Sequence, residues 1–155
     1  MPIPSTPRGM YFEEFEVGTK VISDGRTIAE SDIFTFAGLS GDLNTIHTDA
    51  EYSKTTPFGQ RVAHGLLGLS IASGLATRTG IIDGTVQAFR EISDWKFVKP
   101  IYIGDTIHAE ITVAEVKPFP RLGNGAVTMN VEVKNQNGEV NMRGTWVMLI
   151  MSKPK

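Results

Sequence analysis

Asp42 and His47 stand five positions apart in the run Gly41-Asp42-Leu43-Asn44-Thr45-Ile46-His47. They offer a carboxylate and an imidazole to whatever that loop faces. An imidazole titrates near neutral pH, and a carboxylate can orient it or exchange a proton beside it, so the pair suits general acid-base chemistry. Asn44 between them is a turn residue whose amide can bond the local backbone and fix the loop. A second run, Val62-Ala63-His64-Gly65, leads directly into an apolar stretch. There the unpaired N–H groups and the dipole at a helix start favour developing negative charge, which makes Gly65 N–H the candidate oxyanion donor. His64, its neighbour, reads as a cap or a hydrogen bond at the start of that helix.

The elements that must position these groups follow from pattern. Phe12 and Phe15 sit in a short aromatic-anchored segment, and Val21 to Ile28 reads as a strand broken at Asp24-Gly25. Ser31 as a cap, with Asp32 near the positive end of the dipole, opens a helix that ends near Gly41 and delivers Asp42 at its exit. A helical turn spans Asp49 to Lys54, stopped by Pro57 and Gly59. The principal helix runs from about His64 to Arg78. It is apolar nearly all round, which predicts a helix buried inside the fold, and its glycines imply close approach by backbone or ligand.

From Thr85 the period changes to two. Residues 85–97 have strand character; Ile107, Ala109, Ile111 and Val113 alternate with polar residues, as do Val127, Met129, Val131 and Val133. Asn137-Gly138 signals a hairpin into a last strand, Val140 to Ile150. A buried helix followed by long antiparallel strands implies an α+β fold in which a curled sheet wraps that helix.

The run Phe36, Ser40, Gly41, Asp42, Asn44, Ile46, His47 and then Ser53 resembles the signature of the MaoC-like (R)-specific enoyl-CoA hydratase and dehydratase family. One position departs: the family's usual Pro is Thr45, which removes a fixed φ from the turn. Phe97, Lys99-Pro100 and Gly104-Asp105-Thr106 also look like the family's strand connection, so the resemblance spans most of the chain. It implies the hotdog fold, a sheet edge paired across a homodimer, and hydration of a trans-2-enoyl thioester carried by coenzyme A or acyl carrier protein. It also places Asp42 and His47 on one activated water, and Ser73 at the position whose hydroxyl supports that pair. No cofactor is implied beyond the coenzyme A of the substrate.

Composition bounds the alternatives. The 155 residues fit one domain, with residues 1–9 an extended N-terminal segment. A hydrophobic content of 41%, 21% charged residues and a net charge of −2 describe a soluble globular protein with no basic field for nucleic acid. The absence of cysteine and of a signal-like apolar core points to the cytoplasm, and no stretch is long enough to span a membrane. With three histidines, one of them His108 on a wet strand face, a zinc site lacks ligands. Arg61, Arg90, Lys96 and Lys99 are the cations near strand ends that could meet coenzyme A phosphates. Two rivals share the fold: a thioesterase cleaving C–S, and a non-catalytic acyl-CoA-binding partner subunit.

Overall fold

The computed structural model describes residues 9–155, so the expected N-terminal segment lies outside the described residues apart from Gly9. Phe12–Glu14 forms a 3-10 turn that buries Phe12 and, just after it, Phe15. The expected first strand is two short ones, β1 (Lys20–Ile22) and β2 (Arg26–Thr27), both antiparallel to one later strand. Ser23 bridges the break, since its N–H donates to the Ala109 carbonyl at 2.9 Å and its Oγ accepts from Ala109 N–H at 2.9 Å. Helix α1 (Glu30–Ser40) starts one residue before the expected Ser31 cap. Its capping carboxylate is Asp32, which accepts from Ala29 N–H at 2.8 Å. The helix ends where Gly41 takes a left-handed φ of 77°.

Two short helices follow, α2 (Thr45–Thr48) and α3 (Ala50–Lys54), and then α4 (Gly65–Arg78). The expectation of burial all round α4 is corrected. Leu67, Ile71, Ala72, Leu75 and Ala76 are buried, but Leu66 is 60% exposed and Ser70 and Gly74 face outward. The reason lies in the partner surface, which is a single curled sheet that covers only one side of the helix. Its strands are β3 (Val86–Phe97), β4 (Thr106–Phe119), β5 (Asn124–Lys134) and β6 (Val140–Met151), in the order β1-β4-β5-β6-β3 and antiparallel throughout. This is the α+β hotdog arrangement.

The alternation read from β4 and β5 holds residue for residue. Ile107, Ala109, Ile111 and Val113, and Val127, Met129, Val131 and Val133, all lie on the inner face of the sheet and are buried. The opposite face carries charge. Glu110 takes Lys20 at 2.6 Å and Lys134 at 3.0 Å with His108 beside it, and these partners, Lys20 foremost, hold its carboxyl at about 2. Strand β3 is different, being bonded only to β6 and exposed along nearly its whole length, with Val86, Phe89 and Ile92 open to solvent.

The glycines of α4 divide by what lies above them. A Cβ on Gly68 would stand 2.5 Å from Met142 Cε and 2.8 Å from Ile101 Cδ1, whereas one on Gly74 would meet nothing within 4 Å. Helix propensity favours Ala over Gly by about 1 kcal/mol at both positions, while overpacking a filled core costs about 1–3 kcal/mol. At Gly68 the tips of Met142 and Ile101 must move aside, which reduces the gain. Thermal melts should therefore show Gly74→Ala raising Tm by more than Gly68→Ala; an equal gain in both would contradict this packing.

Candidate active site

The loop between α1 and α2 carries its own scaffold. Ser40 Oγ donates to the Phe36 carbonyl at 2.7 Å and accepts from Asp42 N–H at 3.1 Å. The Asp42 carboxylate accepts from Asn44 N–H at 3.2 Å, and Asn44 Oδ1 caps α2 by accepting from Ile46 N–H at 3.3 Å. Thr48 Oγ1 reaches back to the Leu43 and Asn44 carbonyls, both at 3.2 Å. Ser53, fully buried in α3, ties its hydroxyl to the Asp49 carbonyl at 2.7 Å and the Ile46 carbonyl at 3.2 Å. Thr45 is the first residue of α2, the position that tolerates Pro best, and the surrounding side-chain bonds supply the rigidity that a ring would have added.

His47 is buried and Asp42 is half exposed, with His47 Nε2 and Asp42 Oδ2 4.0 Å apart. The other ring nitrogen, Nδ1, lies 2.6 Å from the Val62 carbonyl. A carbonyl only accepts, so Nδ1 carries the proton and Nε2 presents a lone pair toward Asp42. Burial, which disfavours the imidazolium, pushes the His47 pKa below its ordinary value, and the neighbouring His64 adds to this. The Val62 bond and Asp42 oppose it without reversing it. His47 is thus held as the neutral base.

Residues 62–64 are placed by main-chain bonds. Val62 N–H donates to the Ile46 carbonyl at 3.1 Å and Ala63 N–H to the Ile101 carbonyl at 2.8 Å. Gly65, the first residue of α4, has an N–H with no acceptor inside the helix, and it lines the same cavity of about 470 Å³ as His47. That cavity is walled by Ile46, Val62, Ile101 and Met142, with the Phe97 ring against Gly65: a Cβ at 65 would lie 2.6 Å from the ring. Only glycine lets the aromatic ring and the free N–H share this corner.

His64 is at the N-cap position of α4, yet its side chain makes no capping bond, so the cap reading is corrected. Its Nε2 instead lies 2.9 Å from the Asp42 backbone carbonyl, and its ring stacks on that of His47 with centroids 3.7 Å apart and planes 25° apart. Ser73 is half-buried two turns along α4 from Gly65, roughly 12 Å at 1.5 Å per residue, and does not line the cavity. Hydrogen bonds and stacking join Asp42, Asn44, His47 and His64, with Gly65 next in the chain; of these five His47 and Gly65 line the cavity, and Ser73 belongs to neither set. Of the four candidate cations, Lys99 lines the cavity and is paired with Glu139 at 2.5 Å, as Arg61 is with Glu30 at 2.5 Å.

Asp42, His47 and His64 each place one potential ligand atom within 4.8 Å of the others. Two nearly parallel imidazoles direct their in-plane lone pairs side by side and not onto one point, which is not the geometry of a tetrahedral ion. The arrangement suits proton transfer. The contributions that sequence reading missed are the Val62 carbonyl, a backbone group with no sequence signature, and Ile101 and Met142 in the cavity wall. Met142 was in principle legible from the inward phase of the last strand.

A profile described as MaoC like domain matches residues 13–135. The chain is 38% identical over 124 residues to the (R)-specific enoyl-CoA hydratase of Rhodospirillum rubrum, covering 80% of this chain and 83% of that one. It is 34% identical over 125 residues to the 3-hydroxybutyryl-CoA dehydratase of Methylorubrum extorquens, covering 80% and 76%. A solved Archaeoglobus protein described as a monoamine oxidase regulatory protein superimposes with a TM-score of 0.87 at 41% identity, covering 94% of this chain and 97% of that one.

Two outcomes are expected from this geometry. By NMR, the His47 ring should titrate below the ordinary value of 6.5, and Asp42→Asn, which removes a charge favouring the imidazolium, should move it lower still; an upward move would contradict the assignment. Thr45→Pro should leave Tm unchanged or raise it by the equivalent of about 0.4–1 kcal/mol, because Asn44 already has φ −54° and ψ 137°, values that suit the residue before proline.

Proposed function

Because the chain belongs to the MaoC-like dehydratase family, we propose that it is a hydro-lyase that adds water across the C2=C3 bond of a trans-2-enoyl thioester, or removes it from the (3R)-3-hydroxyacyl product. The observation that carries this reading is the 4.0 Å gap between His47 Nε2 and Asp42 Oδ2, a spacing that one water molecule bridges with a hydrogen bond to each. The names of the two curated relatives support the reaction class.

In this scheme the Asp42 carboxylate and His47 Nε2 both accept from that water. The water oxygen attacks C3 as its proton passes to Nε2, giving an imidazolium beside the Asp42 carboxylate. Electron density moves through C2 to the thioester oxygen, where Gly65 N–H at the positive end of α4 stabilises it. Return of the proton from Nε2 to C2 completes addition of one H and one OH, and no external oxidant, reductant or metal is called for by the atom balance. The apolar wall of Ile46, Val62, Ile101 and Met142 takes the acyl chain, and Lys99 stands where a coenzyme A or carrier-protein phosphate would approach.

The exposed β3 edge supports a second inference, a homodimer whose copies meet along it, since an unpaired apolar sheet edge is a template for strand addition. Among the described residues no helix is long and apolar enough to cross a membrane.

Asp42→Asn or His47→Gln should each lower crotonyl-CoA hydration, followed as loss of the conjugated absorbance, by about 10²–10⁴-fold, with the dimer unchanged by light scattering. Near-wild-type turnover in either variant would remove this mechanism. Release of free thiol from a saturated acyl-CoA would instead support the thioesterase.

A further inference from the structure

Three groups of the reaction just proposed come from separate elements: Asp42 from the loop after α1, His47 from α2 and the Gly65 N–H from the start of α4. One side chain touches or adjoins all of them. His64 is 3% exposed, its Nε2 is 2.9 Å from the Asp42 carbonyl, its ring lies 3.7 Å from that of His47, and it immediately precedes Gly65. Phe36 of α1 packs on it as well, tilted, at 4.9 Å between ring centroids.

The Asp42 carbonyl can only accept, so the single proton of a neutral His64 is on Nε2. Nδ1 then meets no protein donor among the described residues, so what the ring offers its neighbours is its Nε2–H and its face.

We propose that His64 is a positioning residue for the acid-base pair: its Nε2–H holds the backbone of Asp42 while its ring face seats His47, so that carboxylate, imidazole and Gly65 N–H converge. This rests on the hydratase reading above. The stacked ring has a second consequence. Two imidazoles this close cannot both be charged without repulsion, so His64 helps keep His47 in its base form; Asp42 and His64 are the charged or titratable groups that act on His47.

Two substitutions separate the functions. His64→Phe keeps an aromatic face and loses the donor; His64→Gln keeps a donor at the reach of Nε2 and loses the ring. His64→Phe should lower kcat by about 10- to 100-fold, the penalty of a misplaced catalytic group, with KM unchanged and the acid limb of the pH profile moved up, because a phenyl ring carries no charge to repel an imidazolium at His47. His64→Gln should lose less kcat than His64→Phe, because one neutral hydrogen bond to the Asp42 carbonyl replaces another while His47 loses only the ring it stacks on, and the acid limb moves up here too.

A substrate-free measurement accompanies these. In the wild type the Asp42 carboxyl carbon signal should follow the His47 titration. That coupling should vanish in His64→Phe and persist in His64→Gln. Wild-type kcat and retained coupling in His64→Phe, or loss of activity in both variants in step with Tm, would overturn the proposal. If the wild type hydrates no enoyl thioester, the functional reading falls, and the carboxyl signal alone still decides whether His64 sets the pair.

Discussion

The bond from His47 Nδ1–H to the Val62 carbonyl, 2.6 Å long and buried, is the contact on which the site depends. Its net contribution to stability is about 1 kcal/mol, no more than that of many others. Its chemical consequence is larger, because it fixes the tautomer. Without it the ring could present either nitrogen to Asp42, and the tautomer protonated on Nε2 would offer a proton where a lone pair is needed. The same two segments are tied again by Val62 N–H to the Ile46 carbonyl, so the residue whose carbonyl receives the ring is itself held in place. A catalytic side chain is thus oriented by main-chain geometry, which is far stiffer than another side chain would be.

The second constraint is the closeness of α4 to the strand connection. Gly68 lets the helix settle against Met142 and Ile101, and Gly65 lets the Phe97 ring lie on the helix start. Both contacts define the wall of the cavity that holds His47. The packing that stabilises the sheet on the helix is therefore the packing that shapes the acyl pocket, and a methyl group added at either glycine would be felt in both.

Much of the fold was legible because its strands obey a strict period. β4 alternates from Ile107 to Val113 and β5 from Val127 to Val133, and a period of two leaves only one face to bury. The loop geometry was legible for a different reason: Ser40, Asp42, Asn44 and Thr48 bond within their own few residues, and local bonds leave local sequence signatures. Besides the cap reading of His64, two readings failed where the outcome depended on three-dimensional surroundings. Helix α4 is apolar on nearly every side, which suggested full burial, yet a single sheet covers one side and leaves Leu66 in solvent. Ser31 looked like a cap by residue type, but the chain enters α1 at an angle that lets the Asp32 carboxylate reach the free N–H of Ala29.

The sequence by itself determined the identity of the reactive groups, the order of the elements and the inward faces of the strands, since each follows from side-chain chemistry or from a repeat shorter than ten residues. Only the tertiary structure decided that Val62 would set the tautomer of His47, that His64 would reach across to Asp42 in place of capping its own helix, and that Ser73 would stand outside the cavity. Those outcomes hinge on distances between segments far apart in the chain. Such distances are fixed by how closely a helix can approach a sheet, a property of the packed whole and not of any stretch of residues.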